Sequence, residues 1–259
     1  MENVYQHFRK DEGPFIDQVQ ELIAQAASEY RPVLTDFLDP RQVYITRVLA
    51  GSVEGVKVLP FGGFAQAERC RVMLAPDYYV PEPADYELAV LAVNYPEKFA
   101  TLHHSTILGT LANTGIQRDL FGDIITDGHA WQVIVAASMS QWLQSNVTRF
   151  GKIGVRFEPV ALEQVLQPQN DWEKVQTTLP SLRIDAVVAH VFAMSRQRAK
   201  GLVEGGKIRL NFATTTRPDV EVAAHDIVSV RGFGRLRLQE LLGTTKKDKL
   251  KVTVDVIHK

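Results

Sequence analysis

The chain has 259 residues, with 29 Lys and Arg against 30 Asp and Glu and 45% hydrophobic residues, enough apolar side chains for about two domains with cores of their own. That excludes an intrinsically disordered chain, and the single Cys70 excludes an internal disulfide framework. Near-neutrality argues against a nucleic-acid partner only if the charge is evenly spread, because counterion release needs clustered cations.

It is not evenly spread. Residues 180–259 carry 15 Lys and Arg against 8 Asp and Glu, and the rest of the chain carries 14 against 22. Such asymmetry fits a nucleic-acid partner, and equally a basic surface that serves solubility or docks on the acidic part of the chain. The start, MENVYQHFRKDEGPF, has no apolar core of signal-peptide length. The most apolar stretch, Trp131 to Trp142, is broken by Gln132, Ser138, Ser140 and Gln141 and falls short of the ~18 apolar residues of a membrane span. A cytoplasmic protein that does not enter a membrane is expected.

In chain order, Ile16, Val19, Leu22, Ile23, Ala26, Ala27 and Tyr30 recur at helical spacing between Pro14 and Tyr30. A second helix is predicted from Asp39-Pro40, a cap followed by Pro at the first helical position, to Gly51. Val56 to Phe61 and Arg69 to Leu74 read as strands around Gly62-Gly63, so residues 1–80 form a small α/β domain. Tyr86 to Val93 is a strand, His104 to Thr114 a helix, and FGDIITDG with HAWQVIVA a hairpin turning at Asp127-Gly128. A helix from Ser138 to about Thr148 and a strand from Lys152 to Val160 complete β-α-β-β-α-β over residues 81–165, the ferredoxin-like order shared with RNA-recognition (RRM-like) modules and many unrelated proteins. The aromatic signature with which such modules stack bases on their central strands is missing. The polar run Gln167 to Thr178 reads as a linker over 166–180, with Trp172 as an anchor.

In the basic region, 181–259, Ser181 is expected to cap a helix with apolar positions at Ile184, Val187, Val188, Val191 and Phe192. Ser195 caps the next, in which Ala199, Leu202 and Val203 are buried and Arg196 and Lys200, four apart, share an exposed face. After Gly205-Gly206, alternation places Lys207, Arg209 and Asn211 on one face of a strand. Arg183, Ser195, Arg196, Gln197, Lys200, Lys207, Arg209 and Asn211 are therefore the candidate RNA-contacting residues, the Arg and Lys on phosphates and the others as hydrogen-bond partners. Asp185 is expected to pair with a basic neighbour. Arg231, Arg235, Arg237 and the lysines at 246, 247, 249 and 251 admit either RNA contact or structural and edge-protecting roles.

The run Arg183-Ile184-Asp185, Ser195-Arg196, Ala199, Gly206-Lys207-Ile208, Asn211 and Asp226-Ile227-Val228 resembles the S4-type RNA-binding (αL) domain. With FLDPRQ at 37–42, GGFAQAER at 62–69 and ILGTLANTGIQRDLFGDI at 107–124, the whole chain resembles the YlmH-like family. One departure is His104-Ser105-Thr106, where the family pattern has His-Arg-Asp. The resemblance implies an α+β protein of three domains that acts in a bacterial cytoplasm. It implies binding to large-subunit rRNA or tRNA on the large ribosomal subunit, in ribosome-associated quality control of stalled peptidyl-tRNA complexes, and a link to cell division. The expectation is a non-enzymatic monomer without cofactor or metal. Two alternatives stand beside it: an RNA-modifying enzyme of the pseudouridine synthase or methyltransferase class, and an RNA-tethered protein-interaction adaptor. For the enzyme, Asp119, Asp123 and Asp127 form the one carboxylate group, in a context that favours capping and turns.

Overall fold

A computed structural model describes residues 8–168 and 172–258. The chain divides into two compact units, Met1–Gln169 and Asn170–Lys259, both mixed helix and antiparallel sheet, and no helix among the described residues is long and apolar enough to cross a membrane.

The first unit opens with α1 (Gly13–Glu29), β1 (Val33–Leu38), α2 (Pro40–Ala50), β2 (Val56–Phe61) and β3 (Cys70–Pro76). Asp39 accepts from the Gln42 amide while the Gln42 side chain accepts from the Asp39 amide, each at 2.9 Å, so α2 starts where its capping residues place it. β1 is an element that the periodicity reading did not pick out, although Val33, Thr35 and Phe37 are buried at period two. The three strands lie in the order β1-β3-β2. One sheet face, with Val72 and Leu74, packs on Ile16, Val19 and Ile23 of α1 and Leu49 of α2.

The unit continues with β4 (Leu88–Asn94), α3 (His104–Asn113), β5 (Phe121–Thr126), β6 (Trp131–Ala136), α4 (Ala137–Asn146), the two-residue strands β7 (Arg149–Phe150) and β8 (Ile153–Gly154), and β9 (Arg156–Val160). The sheet order β5-β6-β4-β9, antiparallel throughout, is that of two interlocked split βαβ units. The predicted last strand is shorter than expected because residues 149–154 form the small β7–β8 hairpin instead.

Period-two alternation sends each central strand's side chains to two different cores. Leu91, Val93, Val133, Val135 and Phe157 pack under α3 and α4. Val90, Ile125 and Ile134 point the other way and meet Phe37 and Phe64 from the first 80 residues, with Val165 from the segment after β9. Gly122 permits this contact: a Cβ there would lie 2.7 Å from Phe37 Cε1 and 3.3 Å from Ile134 Cβ.

Three buried arginines reinforce the packing. Arg69 donates from Nε to the Phe121 carbonyl (3.0 Å) and from Nη2 to the Phe37 carbonyl (2.7 Å), and Arg71 reaches the carbonyls of Thr35 (2.9 Å) and Tyr86 (3.1 Å). Arg41 forks onto Glu12 at 2.8 and 3.1 Å. Asp123 accepts from the backbone N–H groups of Glu68 (2.7 Å) and Arg69 (3.3 Å), and Asp127 accepts from those of His129 and Ala130 in the hairpin turn. Both carboxylates thus take backbone-organising positions.

The second unit holds β10 (Glu173–Leu179), α5 (Ile184–Val191), α6 (Arg196–Glu204), β11 (Ile208–Leu210), β12 (Ala213–Thr215), β13 (Ile227–Val230), β14 (Gly234–Thr244) and β15 (Leu250–His258), in the sheet order β10-β15-β14-β13-β11-β12. The segment read as a linker is corrected here: Glu173–Leu179 pairs with β15 along its whole length, from Glu173 opposite Val256 to Leu179 opposite Leu250. Its exposed polar side chains are those of an edge strand, and Trp172 just before it lies against the guanidinium groups of Arg235 and Arg237, 5.4 and 4.9 Å from the ring centre. α5 and α6 bury Ile184, Val187, Val188, Ala199 and Val203 against Val228, Leu236, Val252 and Val254.

Replacing Gly122 by Ala is expected to lower the unfolding free energy of the first unit by about 1–3 kcal/mol through overpacking against Phe37, measured by urea denaturation. Burial, with the Glu68 carboxylate adding to it, raises the Asp123 carboxyl from 3.8 to about 6. A raised acid contributes stability that is full below its unfolded value and lost as pH rises through about 6. Between pH 7 and pH 3.5 the wild type should therefore gain about 3 kcal/mol relative to Asp123→Asn; parallel stability curves for the two proteins would contradict this.

Candidate nucleic-acid interface

The basic unit places its cations in three groups. The first is a clasp. The helix predicted to be capped by Ser181 begins instead at Ile184, because the Ser181 hydroxyl accepts from the Arg183 amide at 3.1 Å and holds a turn before it. Asp185, in the first turn of α5, is almost fully buried, at 3% exposure. It accepts from Arg183 at 3.2 and 3.2 Å and from Arg196, at the start of α6, at 3.2 and 3.4 Å. Desolvation alone pushes its carboxyl up, but the two guanidinium groups outweigh that and hold it below the usual carboxylate range. A lowered acid stabilises the fold above its unfolded value and loses that contribution only as pH falls through the folded one, so the clasp is closed at neutral pH. The Arg196 side chain remains 56% and Arg183 39% exposed: one carboxylate orients two arginines that both stay accessible to solvent.

The second group is α6. Ser195 caps it by accepting from the Arg198 amide at 3.2 Å, which leaves Gln197 exposed at its first turn and Lys200 exposed one turn on. Lys200 is paired with Glu204 at 3.6 Å, both half-exposed, a weak surface pair. The third group is Lys207 and Arg209, both exposed. Arg209 stands opposite Thr214 and Ser229 on neighbouring strands, and the Lys207 carbonyl accepts from the Arg231 amide at 2.9 Å, which brings the exposed Arg231 beside it.

Asn211 departs from the expected strand face. β11 ends at Leu210, and Asn211 and Phe212 turn through left-handed backbone, at φ 45° and 69°. Its Nδ2 donates to the fully buried Asp226 at 2.7 Å and its Oδ1 accepts from the Ile227 amide at 2.9 Å. Both ends of the amide are used inside the domain, which gives Asn211 a structural role. Arg237 is likewise structural, paired with Asp255 at 2.7 Å. Arg198, absent from the sequence reading, is exposed and lies 5.0 Å over the Phe233 ring. It is off the Arg196–Lys200 face of the helix, and only the tertiary contact with Phe233 shows that it is held in place.

The middle sheet is a different case. Base-stacking modules of this topology use the open sheet face, and here that face carries Val90, Ile125 and Ile134 beneath Phe37 and Phe64.

Known proteins match the first unit in two segments, and the RNA-binding description falls on the one that holds the middle sheet. The family model described as "YlmH, N-terminal" matches residues 11–79 and that described as "Putative RNA-binding domain in YlmH" matches residues 81–164. Over 255 residues the chain is 40% identical to the ribosome-associated protein quality control protein P2 of Bacillus subtilis (strain 168), covering 98% of this chain and 99% of that protein. The chain belongs to the YlmH family. A solved structure titled cell division protein YlmH, from Streptococcus pneumoniae, is 35% identical with a TM-score of 0.53, the match covering 63% of this chain and 99% of the solved one. The segments that carried the YlmH resemblance in the first unit meet at one place, where Phe37, Arg69, Phe121, Gly122 and Asp123 touch.

Asn211→Ala is expected to cost about 1–3 kcal/mol of stability by leaving the Ile227 N–H and an Asp226 oxygen without their partner, with RNA affinity per folded molecule unchanged. Thermal melts and binding isotherms on the same preparation check the two halves.

Proposed function

We propose that this YlmH-family chain is a non-enzymatic RNA-binding protein whose S4-type C-terminal domain contacts large-subunit rRNA or tRNA on the large ribosomal subunit, in ribosome-associated quality control of stalled peptidyl-tRNA complexes. The observation that carries the reading is the clasp: Asp185 binds Arg183 and Arg196 together while both side chains stay partly exposed, a pre-oriented pair of forks of the kind that suits phosphate oxygens. Gln197, Lys200, Lys207 and Arg209 are exposed around it in sequence and add phosphate or hydrogen-bond contacts. The relative's name, a ribosome-associated quality control protein, supports the cellular setting. Positioning by phosphate contacts carries no sequence information by itself, so recognition rests on RNA shape.

With four to six phosphate contacts, these residues contribute roughly −3 to −5 to the slope of log affinity against log salt. A Lys207→Gln, Arg209→Gln double variant is expected to lower affinity about tenfold and to flatten that slope by about 2, measured by titration against purified large ribosomal subunits and tRNA; a variant that keeps the wild-type slope counts against the reading. Incubation with tRNA or ribosomes and S-adenosylmethionine, followed by nucleoside analysis, should show no protein-dependent modification, and a modified base would establish the enzyme alternative instead.

A further inference from the structure

The outer half of the β14–β15 hairpin is not used by the clasp, α6 or β11. β13 pairs with β14 only as far as Arg237, and β14 continues to Thr244 with residues 240–244 exposed. The turn that follows is tightly bonded. The Thr245 amide donates to the Lys249 carbonyl at 2.7 Å, the Asp248 amide to the Thr245 carbonyl at 3.0 Å, and the Thr245 hydroxyl accepts from the amides of Lys247 (3.3 Å) and Lys249 (3.1 Å). Asp248 takes the left-handed conformation that closes it, at φ 54°. Lys246, Lys247 and Lys249 are therefore displayed from a fixed backbone, and Lys251 is exposed next to them.

The acids near the four are Asp248 in the turn and Glu240 on β14. Among the described residues no ion pair forms on any of these lysines, whereas Arg183, Arg196 and Lys200 are each paired with a carboxylate. Strand addition is a poor use for this edge. Register breaks between Leu238 and Glu240 and between Leu241 and Gly243 interrupt the even row of backbone groups that another strand needs, and edge lysines oppose such pairing. What the tip does fit is a polyanion. Leu250, which closes the root of the turn opposite Thr244, is paired with Leu179, and Arg183 follows four residues later. Four residues span at most ~14 Å and one ladder step adds about 5 Å, which puts the clasp within about 20 Å of the hairpin root.

We propose that the hairpin tip is a second phosphate-contact element, in which Lys246, Lys247, Lys249 and Lys251 engage the backbone of the same RNA that the clasp orients. This rests on the RNA-binding reading. The test uses the full chain and two variants, with tRNA and purified large ribosomal subunits as probes titrated across a salt series. A variant with all four lysines changed to Gln should flatten the log–log salt slope by about 3, and Asp248→Asn, which keeps a residue tolerant of positive φ, should steepen it by up to about 1 and tighten binding several-fold. Wild-type binding with both variants at the wild-type slope overturns the proposal and leaves the RNA reading standing. A wild type that binds neither probe removes both. If the quadruple variant does not fold, Asp248→Asn decides alone. The exposed Leu241 and Leu242 beside the lysines also suit an anionic bilayer, so the same proteins are sedimented with phosphatidylserine–phosphatidylcholine vesicles; lysine-dependent vesicle binding without a change in RNA slope also overturns the proposal.

Discussion

A guanidinium group has five donors and cannot shed its charge, so burying one commits the surrounding backbone to face it. Arg69 imposes that condition on the first unit. Burial lowers its pKa, with Asp39, Asp123 and Asp119 opposing the effect, and its bonds run to Phe37 at the end of one strand and Phe121 at the start of another. Once those carbonyls are fixed, Gly122 falls under the Phe37 ring and the alternation of the middle sheet presents Val90, Ile125 and Ile134 to the same junction. The first 80 residues and the middle sheet are thereby packed as one compact unit. A sheet face built to stack bases must be open, and this one is closed by apolar contacts whose separation exposes a buried arginine as well.

The charge distribution follows the same division of labour. In the first unit three arginines, Arg41, Arg69 and Arg71, are taken inside, Arg41 together with its partner Glu12. In the second unit most cations stay at the surface, and the few carboxylates are placed where they orient rather than cancel. Asp185 serves two arginines at once, and Asp226, fully buried, is used on Asn211 and on the Ala223 amide at 2.8 Å. Charge counted along a chain is thus a poor guide to the field at its surface; what matters is which charges the fold takes indoors.

Helices and most strands were legible because their determinants are local. Asp39, Pro40 and Gln42 cap α2 with no help from elsewhere, Ser195 does the same for α6, and the Asp127-Gly128 turn carries its own hydrogen bonds. The misreadings have the opposite character. Glu173–Leu179 is polar because it lies at a sheet edge, and only its partner β15, some 75 residues on, makes it a strand. Asn211 sits in a polar alternation that predicts an outward side chain, yet the chain turns left-handed there and the amide is drawn to Asp226. Ser181 has the chemistry of a helix cap, and the helix starts two residues later than such a cap would place it. The sequence offers the eight candidate residues as one group, and their arrangement into a clasp, a helix face, a strand pair and a structural amide rests in part on contacts between distant residues, Arg196 with Asp185 and Asn211 with Asp226.

Orientation and affinity are separate demands on a phosphate-binding surface, and this fold meets them with different residues. A carboxylate beside an arginine fixes its fork at the expense of net charge, and a free lysine on a surface adds charge with little direction. The Arg183–Asp185–Arg196 clasp carries two cations for one anion and presents them in a set geometry, whereas Lys207 and Arg209, at and just before β11, add positive charge with no carboxylate paired to them among the described residues. A protein that must settle on one RNA shape among many needs the first kind at the centre and the second around it. Exchanging the roles, with paired residues outside and free ones inside, would bind polyanions as tightly and discriminate among them less.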